Sequence, residues 1–167
     1  MPRPSRIIIN TSPLIALIAA WGNLDPMDLL YDEVIVPWEV SQEVIKGGSN
    51  NFAVPEFQSA KNLLRERTPV PISQFLLHSL DLGEASVIQL ALDRGVELVC
   101  IDEAVGRRIA RLNGLKLTGS MGILLRWKQI NPTFSLQGAI DRMLARKIRL
   151  SEGLIKAILQ QADEFDI

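Results

Sequence analysis

The stretch I-I-I-N-T-S-P, Ile7 to Pro13, constrains the fold of this chain more than any other. Three successive isoleucines suit a short strand covered on both faces, because an exposed strand would alternate with polar residues. The run stops at Asn10, and a helix start follows at once. Ser12 is a good N-cap, and Pro13 fits the first helical position, where its missing N–H costs nothing. A strand passing into a helix through so few residues is how open α/β sheets are built, and such sheets bind ligands beyond the carboxyl ends of their strands. Asn10 is therefore the side chain that this first unit delivers to a crevice.

The alternation continues along the chain. Leu14, Ile15, Leu17 and Ile18 stripe a helix that ends near Gly22, and Asp25-Pro26 repeats the start signal with Asp25 as cap. Glu33 to Val36 reads as a buried strand. Pro37 opens a helix through Lys46 that Gly47-Gly48 stops, and 49–55 reads as a long loop. The pattern predicts a helix over about 57–65 and an extended piece over 68–72, kept at an edge by Pro69 and Pro71. Next come a helix over 81–94, a strand over 97–101, a helix over 103–113, a strand over 115–117 and a helix opened by T-G-S that runs to about 128. Ser135 and Ser151 cap two last helices, 136–146 and 152–163. The expected architecture is α/β in three layers, with a central, mostly parallel sheet of four to five strands and helices on both faces. The chain reads as a single domain over 1–167, with a core over 1–128 and a C-terminal helical extension over 129–167.

Composition removes several functions. A net charge of −1 provides no global positive field, so any nucleic-acid surface must be local. One cysteine, Cys100, excludes a disulfide framework and suits a reducing cytoplasm, and no apolar stretch is long enough for a membrane span. The one histidine, His78, has no metal-ligand spacing around it and is a poor base for a Ser12 nucleophile. No phosphate-binding glycine loop follows Ile9.

What remains is a set of acids. Asp102 follows a buried strand and so reaches the crevice, although it could equally cap the helix that begins at Glu103. Glu84 lies in the first turn of its helix, where Asp81 and Glu84 also fit a capping box. Glu43 flanks an apolar stripe, with Glu39 one turn before it. Acidic and amide oxygens arriving at strand tips from distant segments suit a hard cation and phosphodiester cleavage. Arg107 and Arg108 begin within a turn of Asp102 and could hold a phosphate backbone. Arg126 with Lys128, and Arg142, Arg146, Lys147 and Arg149, form further basic groups. Trp38 and Trp127 could stack on bases or pack in the core.

In order, N-T-S-P-L-I-A-L, E-V-I-V-P-W-E-V-S-Q-E-V, L-D-L-G-E-A, V-C-I-D-E, G-R-R-I-A and L-T-G-S-M-G-I-L-L resemble the PIN-domain family, nearest its prokaryotic VapC-like branch. The match runs from Arg6 to about Lys128, and the tail with R-L-S looks similar too. The resemblance implies a cytoplasmic, Mg²⁺- or Mn²⁺-dependent ribonuclease acting on single-stranded RNA, often a homodimer and often a toxin paired with a small antitoxin protein. The implied metal set is Asn10, Glu43, Glu84, Asp102 and Glu103, with Glu43, Glu84 and Asp102 catalytic. Ser12, Arg107, Arg108, Thr118 and Ser120 are the implied nucleic-acid contacts. The departure is Asn10, where the family carries Asp. An amide oxygen is a neutral ligand, so weaker metal binding and a slower or absent cleavage step are expected. The alternative is a catalytically inactive PIN-like module that binds nucleic acid or protein. A phosphoacceptor domain of receiver type is disfavoured, since no early acidic pair is present and Lys116 precedes the end of its strand.

Overall fold

A computed structural model describes residues 6–47 and 51–164. Its sheet has five strands, all parallel, in the order β3-β2-β1-β4-β5. These are β1 (Arg6–Ile9), β2 (Glu33–Val36), β3 (Leu63–Arg65), β4 (Leu98–Cys100) and β5 (Lys116–Thr118). Ile7, Ile8 and Ile9 are fully buried in the central strand, as an uninterrupted apolar run requires. The chain lays down β1, β2 and β3 outward to one side, then returns to add β4 and β5 on the other. The reversal puts the carboxyl ends of β1 and β4 side by side, where a doubly wound sheet opens its crevice. Register fixes this: Ile9 lies opposite Cys100, and the Asn10 N–H continues the ladder to the Cys100 carbonyl at 3.1 Å.

Ten helices are described: α1 (Thr11–Trp21), α2 (Pro26–Leu30), α3 (Trp38–Lys46), α4 (Val54–Ser59), α5 (Gln74–Ser79), α6 (Leu82–Arg94), α7 (Ala104–Leu112), α8 (Ser120–Ile130), α9 (Leu136–Ala145) and α10 (Glu152–Gln161). Among the described residues no helix is long and apolar enough to cross a membrane. The caps expected at Asp81, Ser135 and Ser151 form, accepting from the N–H groups of Glu84, Gly138 and Leu154 at 2.9, 3.0 and 3.1 Å. Two others do not. α1 starts two residues early, at Thr11, leaving Ser12 exposed in the first turn, and the residue at the N-cap position is Asn10. Asp25 is already helical and caps nothing; Asn23 Oδ1 instead accepts its N–H at 2.9 Å.

The middle of the chain departs furthest from the pattern. The expected helix over 57–65 is split: α4 ends at Ser59, and Leu63–Arg65 pairs in parallel with Val34–Val36 as the edge strand. Arg65 helps to end α4, its guanidinium donating to the carbonyls of Phe57 and Ala60. The proline-punctuated 68–72 piece lies outside the strands of the sheet, and Val70 donates its N–H to Glu39 Oε2 at 3.1 Å. Within the expected loop over 49–55, Val54 and Pro55 begin α4, while Ser49, Asn50 and the expected stop at Gly48 fall outside the described residues. α5, with Ser73 as its cap, was not expected.

The C-terminal helices are tied to the core. α9 packs on α1, and Arg142 Nε donates to the Ala20 carbonyl at 2.8 Å, near the end of α1. Trp127 meets Trp21 edge-on at 6.0 Å between ring centroids, and both rings pack half-buried against the core. Glu164 accepts the Leu136 and Gln137 N–H groups at 2.7 and 2.8 Å and pairs with Lys128 at 2.8 Å, closing α10 back on the start of α9.

Candidate functional site

The crevice begins with an unsatisfied atom. Asn10 is 4% exposed, and its Oδ1 is buried without a hydrogen-bond partner. A native fold rarely leaves such an acceptor unused, because burying a polar group without a partner costs about 1–3 kcal/mol. The next residue points to a second element: Thr11 Oγ1 donates to Glu43 Oε2 at 2.7 Å, holding the exposed Glu43 of α3 against the turn between β1 and α1. On its other side Glu43 lies against Gly83, where any Cβ would come within 2.6 Å of Oε1.

Glu84 follows Gly83 in the first turn of α6 and is 4% exposed, with Oε2 also buried and unpartnered. That oxygen lies against Gly106 in the first turn of α7, so close that a Cβ there would collide with it. Burial pushes the Glu84 carboxyl up to about 8, assisted by its hydrogen bond with Asp81 and by the charges of Asp81, Glu103 and Glu43. Carboxylate oxygens of Asp81, Glu84 and Glu103 all lie within 4.8 Å of one another. A buried acid crowded by like charges stays protonated near neutrality, and a cation placed among the three would reverse that preference.

Asp102 stands apart from this trio. It does not cap α7. Oδ1 accepts the Ser120 N–H at 2.7 Å and Oδ2 the Ser120 hydroxyl at 2.9 Å, so Asp102 is clamped to the start of α8. Gly119 leaves the space this needs, since a Cβ there would sit 2.7 Å from Oδ1. Arg107 is beside it, half-buried, with Nη1 donating to the Ile101 carbonyl at 2.8 Å.

Of the five residues expected to hold metal, Glu84 and Glu103 are gathered with Asp81. Glu43 touches the group electrostatically, Asn10 waits at the crevice with a free oxygen, and Asp102 is held by Ser120. Among the expected nucleic-acid contacts, Arg108 and Ser12 are exposed, while Thr118 is half-buried. Ser120 is buried with its N–H and hydroxyl spent on Asp102, so it positions that carboxylate. The other basic residues are largely consumed by the fold: Lys128 on Glu164, Arg142 on Ala20, and Arg126 and Arg146 over the rings of Tyr31 and Phe52.

Sequence reasoning took Asp81 only for a cap; its three-residue spacing from Glu84 was the available signal for a shared site. Gly83, Gly106 and Gly119 each make room for one carboxylate, and nothing local in the sequence says so. Glu39 is the buried acid of α3, accepting from Val70 with Oε1 unpartnered, so the like-charged pair divides into one inward and one outward residue.

The donor set suits a hard divalent cation. It offers three carboxylates in reach of one another, one of them buried with an idle oxygen; the unpartnered Asn10 amide oxygen lies at the end of β1. Comparison with known proteins agrees in kind: residues 6–164 match the profile described as PIN domain. No curated protein matches the chain.

Proposed function

Because the chain belongs to the PIN domain family, whose members are generally nucleases, we propose that it is a divalent-metal-dependent endoribonuclease acting on single-stranded RNA. The observation that carries the reading is the convergence of Asp81, Glu84 and Glu103, with the buried Glu84 Oε2 lacking any partner. Asp81, Glu84 and Glu103 would hold Mg²⁺ or Mn²⁺, with Asn10 Oδ1 as a neutral ligand. When bound, such a cation acidifies water and offsets the charge that develops on the phosphodiester.

The protein's own part is orientation and proton transfer. Ser120 fixes the Asp102 carboxylate, which is exposed and retains acceptor capacity for a proton from the attacking water. Arg107, anchored on the Ile101 carbonyl by one nitrogen, keeps its other N–H groups for the phosphodiester, and Arg108 extends that positive edge. Thr11 holds Glu43 at the opposite wall. Replacing an acid by Asn10 removes one negative charge, so cation affinity should be lower than a fully acidic site would have.

The test is RNA cleavage with Mg²⁺ and Mn²⁺ by the natural chain and by Asn10→Asp. Asn10→Asp should cleave faster and saturate at lower metal concentration. If the natural chain is fully active and Asn10→Asp gains nothing, the weight placed on this position is refuted. The same proposal extends to a toxin role of VapC-like type, with a small antitoxin as partner and a second copy of the chain as dimer mate.

One observation favours a second reading. A neutral Asn10 at the end of β1 leaves the crevice one negative charge short of a fully acidic site, as expected of an inactive RNA-binding module. That module would retain RNA in a salt-sensitive way without cleaving it at any metal concentration. It would lose RNA when Arg107 and Arg108 are both changed to Ala, and would be indifferent to Asp102→Ala.

A further inference from the structure

A groove of about 480 Å³ opens next to Asp102 and Arg107, between the start of α8 and the C-terminal segment that carries Ile148–Leu150 and α10. Its size is that of a pocket for a small organic ligand, roughly 300–1,000 Å³. Met121 on one side and Ile148, Leu154 and Ile158 on the other are apolar, while Thr118 and Ser120 add polar groups to the wall at the start of α8. Charge is confined to Asp102, Arg107 and Arg149.

We infer that this groove seats one nucleobase of the RNA strand, next to the phosphodiester held at the acidic crevice. The inference rests on the nuclease reading of that crevice and adds a specificity site to it. A base has apolar faces and a hydrogen-bonding edge, which matches apolar side chains with polar and charged groups beside them. The anionic ribose-phosphate is disfavoured against the apolar side chains and the Asp102 carboxylate and is drawn to the guanidiniums. Asp102 and Arg107 belong to both places, so a strand with a base in the groove presents its neighbouring phosphate to Arg107. Arg149 lies on the segment after α9 and is exposed, free of the structural duties that occupy Lys128 and Arg142. Asp102 has lone pairs left for an exocyclic amine after its two bonds to Ser120, while the arginines donate to ring nitrogens and carbonyls. The C-terminal extension thereby acquires a function: it supplies one wall of a base-reading subsite.

The experiment uses the full chain and the variant Leu154→Trp, chosen because Leu154 is 42% exposed and a larger ring fills the groove without entering the core. Methyl spectra are recorded during titration with AMP, GMP, CMP and UMP, and Mn²⁺ affinity is measured by calorimetry. At least one nucleotide should shift the methyls of Ile148, Leu154 and Ile158 in the natural chain. In Leu154→Trp the shifts at Ile148 and Ile158 should vanish, with Mn²⁺ affinity unchanged. With a single-stranded RNA oligonucleotide, KM should rise about tenfold, the scale of losing one apolar pocket contact, with kcat nearly constant. Nucleotides that leave the groove methyls unmoved, or move Ile148 and Ile158 equally in both proteins, overturn the inference. Absence of Mn²⁺ binding and of cleavage in the natural chain would instead refute the nuclease reading, a result separate from the methyl shifts.

Discussion

Gly106→Ala probes the centre of the site by adding one carbon. The new Cβ would collide with Glu84 Oε2 and come within 2.9 Å of Ile101 Cγ2, both buried. Overpacking of this kind costs about 1–3 kcal/mol. Alanine also favours a helix over glycine by about 0.5–1 kcal/mol, and Gly106 is helical, so the net loss should lie at roughly 0–2.5 kcal/mol. At about 2–4 °C per kcal/mol for a domain of this size, Tm should fall by up to about 10 °C. Gly153→Ala, also in the first turn of a helix but with nothing within 4 Å of its Cβ, isolates the propensity effect and should raise Tm by about 1–4 °C. The site reports separately. The readiest relief of the collision swings the Glu84 carboxylate away from Asp81 and Glu103, and Mn²⁺ affinity should drop about 10–100-fold, as for other changes that misorient a ligand. Calorimetric melts and Mn²⁺ titrations of both variants decide the matter. If Gly106→Ala melts as high as Gly153→Ala and binds Mn²⁺ like the natural chain, Gly106 is not the cradle of Glu84 and the geometry of the crevice is wrong.

Further outcomes follow from the same structure. Glu84 has a folded-state pKa raised from 4.5 to about 8, so the folded form binds the extra proton between those values. Without divalent metal, stability should therefore be greatest at the acidic end of that window and decline as pH climbs through about 8, and Glu84→Gln should flatten the decline in a pH series of melts. Added Mn²⁺ should offset the decline in the natural chain alone. For Glu164, burial works to raise the carboxyl, but Lys128 and the N–H groups of Gln137 and Leu136 outweigh it and hold it below its ordinary range. Its contribution is present above that range and is lost as pH falls through the lowered value. Glu164→Gln should cost about 1 kcal/mol at pH 7, the worth of a helix cap, and the gap to the natural chain should close in acid.

The parts that could be read from the sequence are those decided by neighbours in the chain. The three isoleucines of β1 specify a strand covered on both faces wherever it is placed, and Ser135, Ser151 and Asp81 cap through bonds three residues long. β3 could not be read in that way. Leu63–Arg65 is only three residues, its pattern continues a helix as well as a strand, and pairing with β2 settles the matter. The site divides likewise. The strand tips were visible because topology puts ligands there, but the partner of Asp102 is a helix start eighteen residues on, and Asp81 joins Glu103 only when α6 and α7 pack. The idle oxygen of Asn10 is a property of the finished interior, and no residue type announces it.

The neighbouring tips of β1 and β4 have a consequence in time. Asn10 is synthesised well before Asp102, yet its crevice does not exist until the strand before Asp102 has been made and inserted beside β1. At ~5–20 residues per second, roughly 5–20 s separate the synthesis of the two walls. Through that interval the growing chain carries its polar strand end without the acidic side chains of α6 and α7 packed together, and the crevice closes when the second half of the sheet docks. On the nuclease reading proposed above, activity cannot precede the docking of β4 beside β1.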